Sequence, residues 1–179
     1  PVTAEDWVGK AVSDLVTVLD SFGLTAEAHY QQYGWKEGLS PNGFYNEREY
    51  VTAKAEAMVE GGGYATVKVA MDAFYAIWTI DPYQHYLLYG AKEGINPSNA
   101  FSQGLYMEEK LEKLQTDPDT AADWADKTLE DLYDAFEAAG LTPLGHYLEY
   151  GQNEGLSAVP VPLNERVDVD QPSDNAQIF

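Results

Sequence analysis

A ten-residue pattern, His-Tyr-x-x-Tyr-Gly-x-x-Glu-Gly, occurs three times in this chain and constrains its fold more than any other feature. The copies begin 56 and 61 residues apart and contain every histidine of the protein. Spacing of this size is typical of proteins built from repeated supersecondary units. We predict a structural role for the motif residues, which are His29, Tyr30, Tyr33, Gly34, Glu37, Gly38, His85, Tyr86, Tyr89, Gly90, Glu93, Gly94, His146, Tyr147, Tyr150, Gly151, Glu154 and Gly155.

A helix-start signal precedes each copy of the motif. Thr25, Asp81 and Thr142 precede the three copies at equivalent positions, and capping side chains of this kind mark the first turn of a helix. Apolar residues at helical spacing predict an earlier helix over residues 4–22, capped by Thr3. Asn46-x-x-Glu49 predicts a capping box and a helix over 47–60, with a counterpart over 103–115. The predicted fold class is all-α, with three tandem short-helix repeats, ordered Gly/Pro loops and an extended C-terminal tail.

Breaks in the pattern divide the chain into four segments. Three glycines at 61–63 and Asp117-Pro118-Asp119 separate the predicted repeat units, which cover residues 1–60, 61–117 and 118–158. The third unit is truncated, because its last helix is missing. Residues 159–179 form the predicted tail, in which Pro160, Pro162 and Pro172 argue against a helix. Its apolar residues predict that the tail mediates contact between subunits.

The charge of the chain restricts the kinds of partner that we expect it to bind. Thirty acidic residues against ten basic ones give a formal net charge of −20. This charge argues against binding to nucleic acid or to an anionic membrane surface, and it favours cations or a basic partner. No cysteine is present, so disulfides and thiolate metal sites are excluded. The sequence has no apolar run of the length that membrane insertion needs.

The repeated aromatic residues admit two interpretations. We predict that each histidine makes a local hydrogen bond, for example to Glu37, Glu93 or Glu154 of its own loop, rather than joining a zinc site. A His₃ zinc site would need all three side chains to converge on one ion. The tyrosines, Tyr89 among them, are predicted to pack in the core, with carbohydrate stacking as the alternative.

Calcium is the cation for which the sequence offers donors. Asp117, Asp119 and Asp123 place three carboxylates within seven residues, and calcium prefers carboxylate and carbonyl oxygens on loops. The same run is also explained as a helix start with an acidic first turn. Calcium therefore remains a hypothesis beside simple capping.

The motif, followed by proline and phenylalanine as in Pro97 and Phe101, resembles a repeat of large secreted bacterial proteins. Those proteins include surface-layer, adhesin-like and calcium-binding repeat-in-toxin-type chains. The resemblance implies an extracellular, non-catalytic module at the cell surface that self-assembles or binds other surface proteins. No pattern of a catalytic site is present in the chain, so we do not expect an enzyme. The predicted function is a surface-layer or filament subunit, and the alternative is a carbohydrate- or protein-binding module of a larger adhesin.

Overall fold

The structure, a computed structural model, describes residues 8–159, and these residues form nine α-helices with no strand among them. The all-α class predicted from the sequence is therefore confirmed for this part of the chain. Thr3 and almost all of the predicted tail, including Pro160, Pro162 and Pro172, lie outside the described residues. The helices are α1 (Val12–Ser21), α2 (Ala26–Gln32), α3 (Glu47–Glu60), α4 (Val67–Ile77), α5 (Pro82–His85), α6 (Gln103–Thr116), α7 (Ala121–Trp124), α8 (Leu129–Ala138) and α9 (Pro143–His146).

The predicted caps start the helix of each motif copy. Thr25 accepts a hydrogen bond from a backbone N–H at the start of α2, and Thr142 does the same at α9, each at 3.0 Å. Asp81 accepts from the N–H of Tyr83 at 2.8 Å at the start of α5. Each bond satisfies an N–H that the helix itself cannot pair. The three helix starts are confirmed.

The helices α3 and α6 follow the first and second motif copies, and the sequence places both of them within one residue. Asn46 caps α3 by accepting from the N–H of Glu49 at 3.1 Å. The reciprocal half of the predicted capping box is not formed. Glu49 instead turns its carboxylate to the N–H of Asn99, at 2.8 Å, and so links α3 to the loop after the second motif copy.

The first predicted helix is wrong over residues 8–11. Helix α1 begins only at Val12, after Gly9, whose φ of +78° lies in the left-handed region that ends helices. The side chain of Asp14 accepts from the N–H of Ala11 at 2.8 Å and closes the first turn. Apolar spacing continues through this break, so periodicity alone could not reveal it.

The core of the described residues lies where α3 and α6 meet the helices around them. Helix α3 packs against α4 and α5, and α6 packs against α7, α8 and α9. Tyrosine dominates the interior, since Tyr50, Tyr86 and Tyr106 have no exposed surface. The loop after the first motif copy is held by Tyr45, which is almost fully buried, with Phe44 packed against the core as a partly buried neighbour.

The sequence predicts that the chain has no segment that inserts into a membrane. Within residues 8–159, no helix has both the length and the apolar composition of a membrane span.

Candidate functional site

Two buried tyrosines dock on the histidines of the second and third motif copies. The hydroxyl of Tyr50, on α3, lies 2.6 Å from Nδ1 of His85. The hydroxyl of Tyr106, on α6, lies 2.5 Å from Nδ1 of His146. Each tyrosine comes from the helix that follows one copy of the motif, and each histidine belongs to the next copy. In these two copies, the histidine of the motif is therefore the contact point, or receptor, for a helix from the preceding part of the chain.

The first glycine of the motif provides the space for this hydroxyl. A Cβ atom added to Gly90 would overlap the hydroxyl of Tyr50, and one added to Gly151 would overlap that of Tyr106. Any side chain at these two glycines would push the tyrosine away from its histidine. The glycine is thus required by close packing rather than by its backbone conformation.

The backbone around these two glycines is a π-helical turn rather than an α-helix. Residues Tyr86–Gly90 and Tyr147–Gly151 form the two turns, which continue α5 and α9. In the first motif copy, α2 is instead followed by a 3₁₀ turn over Gly34–Glu37. Short π-helical turns occur often at functional positions, because they change the direction of the groups around them.

One helical turn after each docking tyrosine, a lysine forms an ion pair with the glutamate of the motif copy on which the tyrosine docks. Lys54 Nζ lies 2.6 Å from Glu93 Oε2, and Lys110 Nζ lies 2.7 Å from Glu154 Oε2. Tyrosine and lysine are four residues apart on both helices and therefore share one helix face. The pattern Tyr-x-x-x-Lys on a helix thus contacts the His, Gly and Glu of the motif together.

The predicted bond between histidine and glutamate within one loop is wrong for the second and third copies. The glutamates are paired with Lys54 and Lys110, and the histidine bonds come from Tyr50 and Tyr106. Sequence reasoning missed these four residues as site residues. The signal that could have identified them is the recurrence of Tyr-x-x-x-Lys on both helices at the spacing of the first two motif copies, 56 residues.

Burial keeps the docked histidines neutral. It lowers the pKa of His85 and His146, and the nearby Lys54 and Lys110 lower it further, while Glu93 and Glu154 oppose them. Burial also raises the pKa of Tyr50 and Tyr106. Each pair is therefore a hydrogen bond between a neutral hydroxyl and a neutral imidazole, in which the tautomer of the histidine decides which of the two groups donates.

These lowered pKa values predict a stability loss on acidification. We expect a fall in pH from about 7.5 to about 5.5 to destabilise the protein more than it destabilises the double variant His85→Gln/His146→Gln. A histidine with a lowered folded-state pKa stabilises fully above the unfolded value of about 6.5, and this stabilisation is lost as pH falls toward the folded pKa. Urea denaturation at several pH values gives, for each protein, the slope of the free energy of unfolding against pH.

Carboxyl groups with raised pKa act in the opposite direction, so the comparison between the two proteins is needed. Burial raises the pKa of Asp81 and Glu47, and their protonation favours the folded state as pH falls. Both proteins keep these groups, and the difference between their slopes reports the histidines alone. Equal slopes would contradict the expected contribution of His85 and His146.

The two tyrosines of the motif have different environments. The first tyrosine of each copy, Tyr30, Tyr86 or Tyr147, is buried, with at most 8% of its surface exposed. The second, Tyr33, Tyr89 or Tyr150, is about half exposed. The expectation that both tyrosines belong to the core is therefore correct only for the first, and Tyr89 lies at the surface with its ring 5.3 Å from that of His85.

In the first and second motif copies, the first tyrosine makes a buried hydrogen bond to a residue outside its own copy. The hydroxyl of Tyr30 donates to Asp81 Oδ1 at 3.1 Å, and Asp81 is the buried cap of α5. Tyr86 donates to Gln103 at 3.1 Å, at the start of α6. Burial raises the pKa of Asp81, and the bonds from the Tyr83 N–H and the Tyr30 hydroxyl oppose that rise.

The three aspartates proposed for calcium are not gathered into a cluster of ligands. Asp117 uses its Oδ1 to accept the N–H of Asp119 at 2.9 Å, in the turn between α6 and α7. Asp119 and Asp123 are exposed. Within residues 8–159, no group of three or more histidine or acidic side chains is arranged to hold a metal ion. Asp117 thus closes the turn, and Asp123 lies in the first turn of α7.

We therefore expect calcium to act on the stability only through ionic strength. Melting curves in calcium chloride and in sodium chloride of matched ionic strength should coincide. Both salts should raise the melting temperature, because they screen the repulsion that accompanies a net charge of −20. A further rise that only calcium produces, at micromolar to millimolar concentration, would show a specific site that these aspartates do not explain.

Comparison with known proteins leaves the site to be interpreted from its own contacts. Those contacts are the motif, the docking helices and the Lys–Glu pairs. No family model, no curated protein and no solved structure matches this chain.

Proposed function

We propose that this chain is a non-catalytic structural module of a bacterial cell surface, built from three tandem units that dock by one repeated contact. The observation that carries the proposal is the paired use of Tyr-x-x-x-Lys against His, Gly and Glu. Tyr50 and Lys54 bind the second motif copy, and Tyr106 and Lys110 bind the third. Repeat proteins stack their units through an interface that recurs between neighbours, and this joint recurs with the same residue types.

The chemistry of the motif supports a structural role. The Nδ1 atoms of His85 and His146 are occupied by tyrosine hydroxyls, and Glu93 and Glu154 are occupied by lysines. The groups best suited to acid–base or metal chemistry are thus used to join helices. The proposed location, outside the cell, rests on the resemblance of the motif to secreted surface proteins, and the absence of cysteine agrees with it.

Self-assembly into a lattice or filament is the proposed activity of the module. Light scattering and electron microscopy of the full chain over a range of concentrations test it. Ordered particles that grow with concentration would support a surface-layer or filament subunit. A monodisperse monomer at all concentrations would contradict self-assembly of this chain.

A carbohydrate- or protein-binding module of an adhesin is the second candidate. The observation that favours it is the half-exposed tyrosine that each motif copy presents, at Tyr33, Tyr89 and Tyr150. Exposed aromatic rings can stack on sugar rings or anchor a protein partner. A glycan array tests the sugar half of this proposal. Binding by the protein that is lost in the triple alanine variant at these tyrosines would support it, and an array without binding would contradict it.

A further inference from the structure

The first motif copy presents the same receptor residues as the others, but within the described residues no helix supplies a tyrosine hydroxyl to its histidine. His29, Gly34 and Glu37 stand at the positions of the histidine, first glycine and glutamate of the motif. None of the hydrogen bonds or ion pairs of residues 8–159 joins His29 to a tyrosine hydroxyl or Glu37 to a lysine. The nearest atoms to a Cβ built on Gly34 belong to Tyr30 of the same motif copy and to Leu39, which directly follows that copy, both at 3.3 Å.

The helix before the first motif copy is exposed on the side that docking would cover. Helices α4 and α8 precede the second and third copies, and they pack against α3 and α6 respectively. Their residues Phe74, Leu132 and Phe136 are at most 7% exposed. In α1, by contrast, Val12 is 80% exposed and Leu15 is 44% exposed. Helix α1 therefore presents apolar surface of the kind that α3 and α6 bury in the other two places.

The ring of His29 is also accessible. It lines an open groove of about 620 Å³, together with Leu15 and Leu19 of α1 and Leu39 of the following loop. A large apolar opening beside a few polar groups is a common feature of binding sites. The groove places the apolar side chains of α1 beside His29, the histidine of the first motif copy.

The backbone of the first motif copy differs from that of the other two copies. Where Tyr50 and Tyr106 dock, the turn around the glycine is π-helical. At Gly34, on which no tyrosine of residues 8–159 docks, the chain forms a 3₁₀ turn. The π-helical turn thus accompanies the docked hydroxyl in this protein.

We propose that the first motif copy, together with α1, is a docking site for a partner helix that carries tyrosine and, four residues later, lysine. The proposal rests on the proposed function, in which this contact joins units of a scaffold. The tyrosine hydroxyl would reach His29 over Gly34, and the lysine would pair with Glu37. The excess of negative charge favours a partner that supplies a cation.

The occupant is a separate polypeptide rather than a second copy of this chain. Among the described helices, only α3 and α6 carry tyrosine and lysine at this spacing, and both are already docked on His85 and His146. Residues 160–179 contain neither tyrosine nor lysine. A second copy could fill the site only by releasing a helix from its own core.

A synthetic peptide of residues 102–116, the sequence of α6, is the probe for this site. We expect the labelled peptide to bind the full chain saturably at one site in fluorescence anisotropy. A peptide with Tyr106→Phe should bind about 3–10-fold more weakly, because it loses one hydrogen bond.

Charge reversal gives the sharper control. Glu37→Lys in the full chain should weaken binding of the unchanged peptide about 3–10-fold, since it replaces an attractive pair with a repulsive one. A peptide with Lys110→Glu should restore binding to this variant. Glu60→Lys, an equal charge change at an exposed residue at the end of α3, should leave the peptide affinity nearly unchanged.

Three results would overturn the proposal. The first is absence of saturable binding, and the second is equal loss of affinity in Glu37→Lys and Glu60→Lys. The third is a dimer of the chain alone, detected by sedimentation, that Glu37→Lys dissociates, because a second copy would then fill the site. A chain that binds the peptide but never forms larger assemblies would contradict self-assembly and support the docking site.

Discussion

Replacing Tyr106 by alanine should lower the free energy of unfolding by about 3–5 kcal/mol, as for other fully buried large side chains. Tyr106 has no exposed surface and packs against Phe101 and Tyr147, with ring centroids 5.2 and 5.6 Å away. Its hydroxyl also holds Nδ1 of His146. Alanine would leave a cavity and an unpaired ring nitrogen at once. Urea denaturation, with its midpoint and slope, measures the loss.

Two further variants separate packing from hydrogen bonding. Tyr106→Phe keeps the ring and should cost about 1–2 kcal/mol, because the buried Nδ1 loses its hydrogen-bond partner. Tyr89→Ala is the matched control for the size of the residue, and its half-exposed ring should make its cost about 1 kcal/mol or less. If Tyr89→Ala cost as much as Tyr106→Ala, the docking role of Tyr106 would be wrong.

Replacing Gly151 by alanine should destabilise the protein by about 1–3 kcal/mol, although alanine is normally the better helix former. The added methyl group would overlap the hydroxyl of Tyr106. Removing that hydroxyl relieves the overlap, so we expect Gly151→Ala to cost less in the Tyr106→Phe background. A double-mutant cycle of the four proteins measures this coupling.

Gly104 supplies the matched control for that substitution. It lies in α6, is exposed, and has no atom within 4 Å of the position that a Cβ atom would occupy. Gly104→Ala should therefore stabilise the protein by about 0.5–1 kcal/mol. Because Gly151 is closely packed and Gly104 is not, we expect the two substitutions to change the free energy of unfolding in opposite directions. A stabilising Gly151→Ala would show that the hydroxyl does not occupy that space.

The local parts of the fold could be predicted from the sequence because their causes are local. Thr25, Asp81 and Thr142 start helices through bonds to N–H groups two or three residues away. The end of the motif is equally local. Gly38 adopts φ = +76°, a left-handed conformation that glycine adopts without strain, and Gly94 and Gly155 do the same.

The joint between motif copies could not be predicted from one copy. His85 and Glu93 are eight residues apart, and that spacing makes a bond within the loop a reasonable hypothesis. The partners come instead from Tyr50 and Lys54, which are 35 and 39 residues away in the chain. Which acceptor a donor reaches depends on how α3 crosses the next copy of the motif, and helix periodicity carries no such information.

The difference between Tyr86 and Tyr89 has the same origin. Both tyrosines are large and both follow helical spacing, so the sequence favours the core for each. The rotation of the turn decides the outcome, since it points Tyr86 between α3 and α6 and leaves Tyr89 half in solvent. Most apolar residues of α1, such as Val12 and Leu15, are likewise expected on a buried face and found exposed, because periodicity identifies a face but not the element that covers it.

The contact between Phe44 and Tyr147 determines how the protein unfolds. Their rings meet edge to face, with centroids 4.9 Å apart; Phe44 follows the first copy of the motif and Tyr147 belongs to the third. In a linear array each unit contacts only its neighbours, so its ends can melt one after another. Here the segment after the first motif copy touches the third copy directly, so loss of either one removes support from the other. Unfolding of residues 8–159 is therefore expected to be a single cooperative transition, with intrinsic fluorescence and circular dichroism reporting the same midpoint.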